Sequence, residues 1–133
     1  MRTASMIAAF LVAYLAGGAA AQAADKIAEH RITLPAAGKD AVYKGTVQGY
    51  GTADYVFIAP AGRPLTIGFT SANPSAYFNL LQDGRDEALH IGSIKGGRYE
   101  GELAQQGSYR VRVYLMRNAA RKNVKASYQL TLR

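Results

Sequence analysis

The sequence predicts an all-β fold, a single antiparallel β-sandwich of about eight or nine short strands with one short helical turn. Three observations carry that expectation. β-rich runs of similar length are separated by Gly, Pro, Asn and Asp. The longest run alternates strictly between apolar and polar positions, with Tyr109, Val111, Val113 and Leu115 on one side and Arg110, Arg112, Tyr114 and Met116 on the other, as a half-buried antiparallel strand does. No heptad, internal repeat or low-complexity tract interrupts the pattern.

The first residues precede that domain. Arg2, an apolar run from Met6 to Leu15 and the small residues ending in Ala21-Gln22-Ala23 follow the order of a secretory signal peptide. The apolar run falls short of the roughly 20 residues a bilayer span needs. Residues 1–23 are therefore expected to be removed, leaving 24–133 as one domain without a membrane anchor.

Along the remaining chain, residues 30–34 read as an opening strand closed by Pro35. Runs 42–50 and 54–59 follow, separated by Gly51-Thr52, and Pro60-Ala61-Gly62 turns the chain into 63–70. There Leu65, Ile67 and Phe69 alternate with Thr66, Gly68 and Thr70, giving one apolar and one small or polar face. Asn73-Pro74 marks a loop before 76–81, and Gln82-Asp83-Gly84 ends that run. Residues 89–94 and 98–103 are expected as outer strands joined into a hairpin through Gly96-Gly97. After 107–116, the Asn-Ala-Ala between Arg117 and Arg121 favours a helical turn over 117–122, and 126–132 resumes the β pattern with Tyr128, Leu130 and Leu132 inward.

Composition narrows the chemistry. Cysteine is absent, which rules out a thiol nucleophile, a disulfide framework and thiolate metal sites. His30 and His90 have no second ligand at metal spacing and are expected as surface strand residues, so no metal or other cofactor is expected. Ser108 sits in ordinary turn chemistry without a nucleophile-elbow motif, and Glu100 and Glu102 share a solvated strand face, so no catalytic residue is assigned and the chain is not expected to be an enzyme. The formal net charge of +7 points to an anionic partner, but the cations are spread along the sequence without the run that marks a nucleic-acid arm.

Two features remain as candidate binding groups. Arg117 and Arg121 are four apart on the expected helical turn, so both guanidinium groups project from one side and can engage carboxylates through paired hydrogen bonds. Spacing alone favours the other outcome, in which one of them pairs with a local carboxylate while the other is solvated. Tyr50 follows Gly49 and precedes Gly51 at a strand end, where it is either an interface anchor or a cap on the core.

Tyr43-Lys44-Gly45-Thr46-Val47-Gln48-Gly49-Tyr50 with Tyr55-Val56-Phe57, and Gly107-Ser108-Tyr109-Arg110-Val111-Arg112-Val113 with Arg117-Asn118-Ala119-Ala120-Arg121-Lys122-Asn123 and Tyr128, resemble the periplasmic inhibitors of g-type lysozyme. The resemblance runs in order through most of 24–133. It implies a periplasmic β-sandwich that blocks a lysozyme cleft, with Tyr50, Arg117 and Arg121 at family positions of lysozyme contact. The alternative is a basic envelope-binding module for an anionic polymer or carbohydrate. An accessory carbohydrate-binding sandwich would need exposed aromatics on a flat sheet face, for which Tyr77, Tyr99 and Tyr114 are the candidates.

Overall fold

The computed structural model describes residues 26–133, and the segment read as a signal peptide lies outside them. Nine strands and two short helical turns follow one another: β1 (Ile27–Arg31), β2 (Ala41–Gln48), β3 (Thr52–Ala59), β4 (Arg63–Ser71), β5 (Ala76–Gln82), β6 (His90–Ile91), α1 (Gly92–Lys95), β7 (Arg98–Leu103), β8 (Gly107–Leu115), α2 (Arg117–Arg121) and β9 (Lys125–Leu132). They form a five-stranded sheet in the order β1-β3-β8-β5-β6 packed on a four-stranded sheet in the order β2-β9-β4-β7. The expected β-sandwich is what the chain adopts.

Alternation builds the core. Tyr55, Phe57, Phe78, Leu80, Tyr109, Val111 and Val113 of the first sheet are buried against Leu65, Ile67, Tyr128, Leu130 and Leu132 of the second. Apolar surface removed from water between two such faces is the main stabilising term of a cysteine-free domain of this size. Two devices fix details of the packing. Gly45 lies opposite Tyr128 in the β2–β9 register, and a Cβ at position 45 would stand 2.4 Å from the Tyr128 hydroxyl, so glycine there makes room for the ring. The hydroxyl in turn meets that of Tyr55 at 2.6 Å inside the sandwich. Tyr109 donates its hydroxyl to the carbonyl of Gln105 four residues upstream, pinning the turn that enters β8 in the manner of a tyrosine corner.

Several expectations are corrected. The opening strand occupies Ile27–Arg31, not 30–34, and it pairs with β3 in parallel, the exception to an otherwise antiparallel ladder. Ile32 still donates its N–H to the Val56 carbonyl of β3 at 2.9 Å, Ile32 and Leu34 pack against the core, and the Pro35 carbonyl accepts a hydrogen bond from Arg63 Nη2 at 2.8 Å. Their apolar character reflects that packing, which continues past the last paired residue of β1. The expected strand 89–94 shrinks to His90–Ile91 and gives way to α1, a second helical turn that the sequence pattern did not suggest. Gly92 presses on β5 so closely that a Cβ would come 2.3 Å from the Phe78 carbonyl oxygen, and its N–H is taken by Asn79 Oδ1 at 3.2 Å instead of by a ladder partner.

The expected hairpin between these outer runs does not form. β6 pairs with β5 in one sheet and β7 pairs with β4 in the other, so Gly96-Gly97 carries the chain across the sandwich. His90 is buried, not a surface residue: its ring stacks on Phe78 with centroids 4.8 Å apart, and its Nε2 lies 2.8 Å from the Gly96 carbonyl oxygen. His30 is exposed as expected and stacks on Tyr55 at 4.9 Å.

Candidate functional site

The site is built at the end of the sandwich where β2, β8 and β5 exchange their chain ends. β2 leaves its ladder at Gln48, and Gly49 adopts a left-handed conformation with φ of 58° that glycine tolerates without a Cβ clash. Its N–H donates to the carbonyl of Val124 at 3.0 Å. Asn123, also left-handed with φ of 56°, closes the C-terminal end of α2, where such a conformation is common. Gly49 and Asn123 are in contact, since a Cβ on Gly49 would lie 2.7 Å from Asn123 Oδ1. The turn that carries Tyr50 is thus tied to the segment that follows Arg121.

α2 itself is anchored by its two alanines. Ala120 is buried while Arg117, Asn118 and Arg121 are exposed, and Ala119 packs against the edge of the core. Met116 joins α2 to the preceding strand, its N–H donating to Ser75 and its carbonyl accepting from Ala120, both at 2.9 Å. With Ala120 turned inward, the arginines at first and fifth positions of the helical turn face solvent on the other side. Among the described residues neither guanidinium has an ion-pair or side-chain hydrogen-bond partner. Tyr50 is 49 % exposed, so it does not cap the core.

Arg110 and Arg112 have a different fate, which the sequence did not disclose. They lie on the outer face of the five-stranded sheet and converge on Asp54, which is fully buried. Arg112 holds the carboxylate through Nε and Nη2, each at 2.8 Å, and Arg110 adds Nη1 at 2.9 Å while reaching Asp83 through Nε at 3.1 Å. Burial opposes ionisation of Asp54, but the hydrogen bonds and charges of Arg112 and Arg110 together outweigh it and hold the carboxyl below its ordinary range. Asp83 is likewise held low, chiefly by its hydrogen bonds to Arg110. The sign of the cue was present in the strand alternation; the partner was not, because Asp54 faces Arg112 only once β3 and β8 are paired.

The fold keeps the carboxylates of the described residues away from the end where the site is built. The end that carries Tyr50 and α2 also bears Lys26, Lys95, Lys122 and Lys125, all exposed. None of the carboxylates of the described residues lies beyond the Ile27–Thr52 pair at that end. Asp40, Asp83, Asp86, Glu87 and Glu102 sit toward the opposite end or its loops.

The remaining candidates are less suited to binding. Tyr77 and Tyr114 do meet across β5 and β8 on the outer sheet face, with ring centroids 6.3 Å apart, but both are half-buried and Tyr114 is engaged with Asn79. Tyr99 belongs elsewhere, packed edge-on to His90 at 5.7 Å. Glu100 and Glu102 are solvated, as expected. A groove of about 410 Å³ on the outer face of the four-stranded sheet is lined by Thr66, Gly68, Thr131 and two ion pairs, Arg98 with Glu100 at 3.3 Å and Arg133 with Asp40 at 3.7 Å. Among the described residues there is no metal-ligating cluster and no helix long and apolar enough to cross a membrane.

Comparison with known proteins gives a consistent picture. No protein-family model matches the chain, and no curated protein does so by sequence. Among solved structures, the chain is similar to PliG of Aeromonas hydrophila, a periplasmic inhibitor of g-type lysozyme, at 30 % identity and a TM-score of 0.71, over 82 % of this chain and 97 % of that one. PliG of Salmonella Typhimurium, described in the same words, matches at 24 % identity and a TM-score of 0.60, over 80 % and 96 %. The pre-peptidase C-terminal domain of a Bacillus anthracis collagenase shares the fold at 19 % identity and a TM-score of 0.58, over 82 % and 96 %.

Proposed function

Because the chain belongs to the PliG family of periplasmic inhibitors of g-type lysozyme, we propose that it inhibits a g-type lysozyme in the periplasm by occluding the active-site cleft, with Arg117, Arg121 and Tyr50 as contact residues. The observation that carries the proposal is the tie between the Tyr50 turn and the end of α2, through Gly49, Asn123 and Val124. It gives one exposed aromatic and two solvent-facing guanidinium groups a common rigid base.

The chemistry suits the target. A glycosidase cleft holds carboxylates that act on a glycosidic bond. An arginine presents a planar fork of donors that a carboxylate accepts in pairs, and it offers no bond to cleave. Once buried at an interface such pairs resist exchange with water, and the aromatic ring of Tyr50 supplies apolar area beside them. Inhibition by this route needs no turnover and no cofactor. Because Asp54 and Asp83 already neutralise Arg110 and Arg112, the α2 pair is the one left free for an external carboxylate.

The test is lysis of cell walls by purified g-, c- and i-type lysozymes at physiological salt with the domain 24–133 added. Selective loss of g-type activity, relieved in the Arg117→Ala, Arg121→Ala double variant, is the expected result. Undiminished g-type activity overturns the proposal. The same cationic end would also suit a basic module that binds an anionic envelope polymer, and that reading predicts affinity that collapses with added salt and tolerates loss of single arginines.

A further inference from the structure

Three side chains make too small a contact for a stable complex, since specific interfaces bury about 800 Å² on each partner. The structure offers more surface at the same end. Among the described residues six large hydrophobic side chains are exposed: Ile27, Val42, Tyr50, Ile58, Ile94 and Met116. Val42 is the second residue of β2 and Ile58 the last but one of β3, which places both at the far end of the sandwich. The other four share the end that holds α2.

Their placement follows from the strand order. Ile27 begins β1 and pairs with Thr52, immediately after the Tyr50 turn, while the Lys26 carbonyl accepts the Thr52 N–H at 2.8 Å. Met116 follows the end of β8 and carries the first carbonyl of α2. Ile94 lies in α1, which continues β6 past the Phe78 level of β5 toward the same end. β1, β8 and β6 are the first, third and fifth strands of one sheet. At a strand spacing of about 4.8 Å, the three side chains span about 19 Å across the sheet end. They are 55 %, 41 % and 73 % exposed. By contrast, the outer face of the four-stranded sheet next to this end presents Thr46, Gln48, Thr70, Lys125 and Ser127, all polar.

We infer that the lysozyme contact is not confined to Tyr50, Arg117 and Arg121 but continues along Ile27, Met116 and Ile94, on the side of the five-stranded sheet. The inference rests on the inhibitor reading above. The apolar line supplies the area that the arginines lack, and it excludes water around them, which strengthens their hydrogen bonds to a partner's carboxylates. It also makes the interface one-sided: the partner's cleft wall packs over the edge from which β1, β8 and β6 emerge, leaving the polar sheet wet.

The experiment compares the intact domain with an Ile27→Ser, Met116→Ser, Ile94→Ser variant and with an Ile58→Ser, Val42→Ser control, measuring inhibition of g-type lysozyme and thermal unfolding. Expected is a loss of inhibition on the order of 10- to 100-fold in the first variant and none in the control, because only the first removes apolar contact at the interface. Inhibition within about twofold of the unsubstituted protein, with the arginine double variant still impaired, overturns the inference and leaves the inhibitor reading standing. If the unsubstituted domain does not inhibit, both fall. Ile94→Ser alone provides the same comparison if the triple variant unfolds, since so exposed a side chain contributes little to stability.

Discussion

Gly49 and Asn123 touch across the end of the sandwich, both in the left-handed conformation, and between them they hold the Tyr50 turn to the last turn of α2. A Cβ at position 49 would have to displace the Asn123 amide and adopt a φ that side chains disfavour. Gly49→Ala is therefore expected to lower stability by about 1 kcal/mol and to weaken inhibition by more than that loss explains. Tyr50→Ala, at an exposed ring, should leave stability within about 0.5 kcal/mol and weaken inhibition alone. Denaturant unfolding together with inhibition of g-type lysozyme separates the two outcomes.

Asp54 ties the outer sheet face. Asp54→Asn would leave Arg112 without a carboxylate and Arg110 with Asp83 alone, a loss of about 2 kcal/mol after allowing for the partial exposure of both arginines. Inhibition per folded molecule should stay unchanged, because the cluster lies away from α2. An equal fall in inhibition would place Arg112 in the interface.

The pH dependence carries the same sign. A carboxyl held low in the folded state stabilises the protein above its unfolded value, 3.8 for Asp54 and Asp83, and this contribution is lost as pH falls from there through the folded value. The unsubstituted domain should thus lose stability below about pH 4, and Asp54→Asn should flatten that limb. Unfolding followed at pH 2–5 reads the difference.

At the alkaline limb the core tyrosine pair governs. Burial, then the hydrogen bond to Tyr55, push the Tyr128 hydroxyl well above 10.0, so its protonated form is favoured in the fold. That stability is present below pH 10 and declines above it. Tyr128→Phe is expected to cost about 1–2 kcal/mol at neutral pH by leaving Tyr55 unpartnered, and to shallow the decline above pH 10 in a stability profile.

Replacing Arg117 and Arg121 by lysine keeps the charge but removes the planar fork. Lysozyme inhibition should fall about tenfold or more while binding to an anionic polymer at low salt persists. Inhibition retained in full by the lysine pair would show that charge alone suffices.

Much of this architecture is legible along the chain. The alternation at Tyr109, Val111 and Val113 and at Tyr128, Leu130 and Leu132 places those residues in the core, and the Asn-Ala-Ala between the arginines marks α2. The failures share one cause. Ile32 and Leu34, His90 and Gly92 take their roles from elements distant in sequence: the core they pack against, the Phe78 ring and the Phe78 backbone. A two-residue β6 and a parallel β1 have too few residues of their own to announce themselves by period. Tyr50, Arg117 and Arg121 could be singled out along the chain, but the tie between the Tyr50 turn and the segment after α2 could not, since Gly49 and Val124 are brought together by the β2–β9 ladder rather than by any local pattern.

That ladder joins an early segment to the last strand. Pairing so distant in sequence must meet its loop-closure cost before its contacts repay it, and topologies rich in such pairing fold slowly. The Tyr50 turn and α2 thus gain their common base only when the final strand closes onto β2 and β4. A nascent or partly unfolded chain would carry the same side chains with no fixed spacing between them. Inhibitory capacity should arise together with the finished sheet, so that recovery of lysozyme inhibition during refolding can serve as a clock for its closure.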